Sequence, residues 1–77
     1  MAPEMTYDPE ADALYIRLSP ERPVGGSDAG PFVLDYDADD RVVGIELLAA
    51  STVLAPGDWK KAPRPAAGKG GHAYAAE

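Results

Sequence analysis

The chain contains no cysteine, one histidine and one tryptophan. With no cysteine there is no disulfide and no thiolate metal site. A short disulfide-free chain is expected in the cytoplasm. No apolar run approaches the ~18 residues needed to cross a bilayer, so no membrane role is expected. Met1-Ala2-Pro3-Glu4 offers neither the basic region nor the apolar stretch of a signal peptide. Positive charge is also scarce. Residues 1–55 hold eleven Asp and Glu against Arg17, Arg22 and Arg41, and the whole chain has a net charge of −6. An acidic body repels phosphate, which argues against nucleic acid as a partner. Seventy-seven residues allow one small domain.

What is present is alternation. Met5-Thr6-Tyr7 can form a short first strand, and Asp8-Pro9-Glu10-Ala11-Asp12 a turn in which the Asp8 carboxylate accepts nearby amides. Ala13 to Leu18 alternates with period two, placing Leu14, Ile16 and Leu18 on one face. Ser19 to Pro31 holds three prolines and three glycines and reads as a loop. Phe32 to Tyr36 alternates again. Asp37-Ala38-Asp39-Asp40 is a turn, and Val42 to Leu48 a further strand. A four-residue loop would pair Tyr36 with Arg41, Leu34 with Val43 and Phe32 with Ile45. That register collects Phe32, Leu34, Val43, Ile45 and Leu47 on one side, and Val33, Asp35, Val42, Gly44 and Glu46 on the other.

Ala49 to Ala55 can make one helical turn, capped by Ser51 or Thr52 and stopped by Pro56-Gly57. Residues 56–77, rich in Pro, Gly and Ala, read as a flexible tail. The expected fold is mainly β (a small α+β domain over residues 1–55): a three- to four-stranded antiparallel meander with at most one short C-terminal helix. Such a sheet buries one face, and the chain has little to cover it. A homodimer, formed by sheet packing or edge pairing, is the expected cover. The alternative is a monomer covered by its own C-terminal segment, including Trp59.

Groups that do chemistry are few. Asp35, Asp37, Asp39 and Glu46 fall at calcium-loop spacing. However, Asp40 stands where that loop needs Gly, and the flanks alternate like strands rather than helices. Asp35, Asp37 and Asp39 are the candidate ion ligands here, with Asp8 and Asp12 beside them in the ion-binding alternative, and an acidic turn that fixes register is the preferred reading. Asp8, Glu10 and Asp12 form a second carboxylate group, read as turn caps. His72 sits among glycines without a second ligand or an orienting carboxylate. Ser19, Ser27 and Ser51 have no histidine in the foldable region to activate them. No catalytic residue and no cofactor is expected.

Two stretches, MTYDPEADALYIRL and VLDYDADDRVVGIELLAAS, together resemble a small bacterial family known as domain of unknown function 2283. The resemblance covers residues 5–51 and is carried by Tyr7, Asp8, Asp12, Leu14, Tyr15, Asp35, Tyr36, Gly44 and Glu46. Members often carry Gly where this chain has Asp40. The resemblance implies a small β-rich fold. It supplies no catalytic residue, and it implies an antitoxin-like or inhibitory partner role. The resulting expectation is a non-catalytic, self-associating protein-interaction module whose acidity suits a basic protein partner. The alternative is a small-ligand or divalent-ion binder using the acidic turns.

Overall fold

The computed structural model describes residues 3–65. Five strands form one antiparallel sheet: β1 Glu4–Asp8, β2 Ala13–Arg17, β3 Gly25–Ala29, β4 Phe32–Tyr36 and β5 Val42–Leu47. A single helical turn, α1 Ala50–Val53, and a 3-10 turn, η1 Asp58–Lys61, follow. Their order across the sheet is β1-β2-β5-β4-β3. The sheet is therefore not a simple meander, because residues 18–24 carry the chain past β5 and β4 to the far edge.

β3 is the strand that period-two reasoning does not find. Its sequence, GGSDA, has no large apolar residue, and all five positions are exposed. It forms because Gly30 takes φ 63° and closes a two-residue turn with Pro31, setting Ala29 opposite Phe32. Four strands become five through turn geometry rather than hydrophobicity.

The β4–β5 hairpin has the expected faces but a different register. Phe32 pairs with Leu47, Leu34 with Ile45 and Asp35 with Gly44. Two one-residue displacements separate this from the expected pairing. The turn closes at Asp37 and Arg41, whose backbones bond at 2.9 Å, and a bulge between Asp35 and Tyr36 adds one residue more. Because side chains alternate with period two, a shift of two returns each one to its original face. Asp40 adopts φ 62° in the turn, a conformation that Asp tolerates better than most residues.

One face of the sheet carries two apolar rows. The first is Tyr7, Leu14, Leu47, Phe32 and Ala29; the second is Met5, Ile16, Ile45, Leu34 and Ser27. Among the described residues, the two helical turns pack on the first row. Tyr7, Leu14, Leu47 and Ala50 form the core cluster, and Phe32, Leu54, Trp59 and Ala62 pack against it. Trp59 meets Tyr7 edge to face, with ring centroids 5.1 Å apart. The Tyr7 amide donates to the Pro63 carbonyl at 2.9 Å, which ties the C-terminal segment to the outer edge of β1. Residues 56–65, expected to be part of the tail, therefore contribute a 3-10 turn and an aromatic contact.

Candidate functional site

The opposite face is polar and carries most of the sequence-selected residues. Its rows are Thr6, Tyr15, Glu46, Val33, Asp28 and Glu4, Arg17, Gly44, Asp35, Gly26. At their centre, Tyr15 is 4% exposed, Asp35 3% and Glu46 3%. The Tyr15 hydroxyl donates to Asp35 Oδ2 at 3.0 Å, although β5 lies between their strands. Gly44 makes this reach possible. A Cβ on Gly44 would run into the Tyr15 hydroxyl and ring, so the missing side chain is the channel through which the phenol crosses. Glycine inside an alternating strand commonly marks such a close approach. That signal was available in the sequence, but the partner across the sheet was not. Arg17, at the end of the second row, donates to the carbonyls of Ser19 at 2.6 Å and Glu21 at 3.1 Å, and so ties down the start of the long connection.

A second constellation joins Tyr7, Asp12 and Ser51. The Tyr7 hydroxyl donates to Asp12 Oδ1 at 2.6 Å. Asp12 also accepts the Ser51 amide at 3.1 Å and the Ser51 hydroxyl at 2.6 Å. The Asp12 carbonyl accepts the Ala50 amide at 2.9 Å. Asp12 thus satisfies the first amides of α1 from 39 residues away. This corrects the expected cap: Ala49, at φ 55°, precedes the helix with no side-chain bond, and neither Ser51 nor Thr52 is the N-cap. The Ser51 hydroxyl, then the Tyr7 hydroxyl, the Ser51 amide and the Lys60 charge, hold the Asp12 carboxyl below its ordinary range against the opposing effect of burial. In return, the bond to Asp12, aided by burial and by the charges of Asp12 and Asp8, pushes the Tyr7 phenol upward.

The acidic turns are occupied by their own backbones. Asp8 Oδ1 accepts the amides of Glu10 at 3.0 Å and Ala11 at 3.4 Å. Asp37 Oδ1 accepts the amides of Asp39 and Arg41, both at 2.9 Å, and Asp37 Oδ2 meets Arg41 Nε at 3.0 Å. The Arg41 amide is the largest influence lowering the Asp37 carboxyl, helped by the Asp39 amide and the Arg41 guanidinium. Asp39 reaches the same guanidinium at 3.4 Å. Asp35 faces Tyr15 instead, so the candidate ion ligands Asp35, Asp37 and Asp39 do not converge. Among the described residues, no three His, Cys, Asp or Glu side chains are grouped to hold a metal. Leu14 belongs to the core, and Tyr36 receives the Ser27 hydroxyl at 3.1 Å across β3–β4. His72 lies outside the described residues. No helix among them is long and apolar enough to cross a membrane.

These features define a class: a small one-sheet protein whose carboxylates and phenols tie strands, turns and a helical turn together. Residues 4–51 match the family described as Protein of unknown function (DUF2283), and the chain belongs to that family. No curated protein and no solved structure matches it.

Proposed function

We propose that this protein is a non-catalytic interaction module that self-associates through the second apolar row, Met5, Ile16, Ile45 and Leu34. The observation that carries this reading is the uneven roof of the apolar face. The C-terminal segment packs on the row of Tyr7, Leu14 and Leu47 and leaves the next row outside the core cluster. Met5 is 39% exposed and Leu18, beyond Ile16 on β2, 43%. The row crosses four strands and contains no charge. Two copies, each with a net charge of −6, can meet there about a two-fold axis without opposing carboxylates. The side chains engaged by the polar constellations serve geometry rather than an acid–base–nucleophile set. The strongly acidic surface favours a basic protein as any further partner.

Light scattering coupled to size exclusion tests this directly. The expected result is twice the chain mass for the native sequence and a single-chain mass for Met5→Glu. A native chain that stays monomeric at submillimolar concentration refutes self-association. A dimer unaffected by Met5→Glu and Leu34→Gln refutes the assignment to this row.

A further inference from the structure

We propose that the outer edge of β3 takes up an extended, cationic segment of a partner protein as a sixth strand. This rests on the reading of the protein as an interaction module and is independent of its self-association. The first argument is backbone. Ala29 and Phe32 flank a two-residue turn and form a hydrogen-bonded pair. Bonded and non-bonded pairs alternate along an antiparallel ladder, so Ser27 and Gly25 also direct their amides and carbonyls at β4. Gly26 and Asp28 direct theirs away from the sheet. On that side neither has a backbone partner among the described residues. The opposite edge differs, because the Tyr7 amide of β1 already donates to the Pro63 carbonyl at 2.9 Å.

The second argument is access. All five residues of β3 are exposed, so what the strand presents is main chain. An edge with outward amides and carbonyls is a template for strand addition. Pro23 and Pro31 bracket the stretch and hold an added strand to about the length of β3. The third argument is charge. Gly26 and Asp28 lie on the polar face, and Ser27 ends the apolar row of Ile45 and Leu34. An added strand sets alternate side chains beside Gly26 and Asp28, and the one between them beside Ser27. Lysine or arginine at the alternate positions complements the exposed Asp28 carboxylate. An apolar residue between them extends the row. A second copy of β3 would instead bring another Asp28 to the ladder, on a chain of net charge −6.

Amide NMR of the full-length protein, titrated with a blocked peptide alternating lysine and valine, tests the edge. The shifts should saturate, should be largest at Gly26 and Asp28, and should exceed those at Met5 and Tyr7. Hydrogen exchange at Gly26 and Asp28 should slow severalfold. The same peptide N-methylated at its lysines keeps the charge and loses the ladder, so it should bind severalfold more weakly, as should a peptide alternating glutamate and valine. Asp28→Lys should weaken the lysine peptide severalfold. Absence of binding, equal binding of the N-methylated peptide, or shifts centred on the turns at residues 8–12 and 37–40 overturns the proposal. Exchange at Gly26 and Asp28 that is already slow without peptide also overturns it, because a second copy or another part of the same chain would then hold the edge. Self-association is read separately, from the mass in size exclusion.

Discussion

Replacing Gly44 with Ala tests the polar face most sharply. The added Cβ takes space held by the Tyr15 hydroxyl and ring carbon. The sheet must shift, at an overpacking cost of about 1–3 kcal/mol, and a phenol displaced from Asp35 also forfeits a hydrogen bond to a carboxylate worth about 1.5–3 kcal/mol. Both effects together reach roughly 2.5–6 kcal/mol. A folded unit of this size has only about 3–9 kcal/mol in total, so Gly44→Ala should leave the protein near the edge of unfolding. At about 4–8 °C per kcal/mol, the melting temperature should fall by roughly 15 °C or more. Tyr15→Phe alone should cost about 1.5–3 kcal/mol. The double variant should cost about 1 kcal/mol less than the sum, since one of the colliding atoms is gone. Circular dichroism melts of the four proteins measure all of this. An unchanged melting temperature for Gly44→Ala, or strict additivity, would refute the close approach of Tyr15 to β5.

Other outcomes follow from the same geometry. Asp12→Ala should free the Ser51 amide, seen as faster hydrogen exchange at Ser51, whereas the Ala50 amide should stay protected because its acceptor is the main-chain carbonyl of residue 12. Trp59→Ala should lower stability by about 2 kcal/mol, less than for a fully buried ring, and should perturb the Tyr7 ring signals. Ala49 sits at φ 55°, so Ala49→Gly should raise stability by about 1 kcal/mol in urea unfolding, and Asp40→Gly by less. Asp12 and Asp37 have folded-state values below the unfolded ones. Their contribution is therefore complete above about pH 4 and is lost as pH falls through the lower folded values. Tyr7 is shifted upward, so its contribution holds below about pH 10 and is lost as pH rises through the folded value. A pH titration of the melting temperature should fall at both ends. Asp12→Asn should flatten the acid limb.

Some of this was legible in the residues and some was not. Ala13 to Arg17 and Phe32 to Leu47 announce strands by strict alternation, and the faces of Leu14, Ile45 and Glu46 followed from it. β3 escaped because Gly25-Gly26-Ser27-Asp28-Ala29 buries no side chain and so leaves no hydrophobic signature. The hairpin register escaped because a turn closure and a bulge each displace by one residue, and their sum hides in a period-two pattern. Among the sequence-selected residues, Tyr15, Asp35, Gly44 and Glu46 are one cluster, and Tyr7 and Asp12 belong to another with Ser51. Nothing in their spacing along the chain separates the two groups.

The sequence by itself determined which side chains share a face, because alternation along a strand is a local property of the extended backbone. It also determined the acidic charge and the shortage of reactive groups, which are composition. Only the tertiary structure decided that β5 inserts between β2 and β4, that a glycine there lets a phenol cross to a carboxylate, and that Asp12 holds a helical turn 39 residues further along the chain. Those pairings join residues distant in the chain, and their partners are selected by the packing of the whole sheet rather than by any one segment.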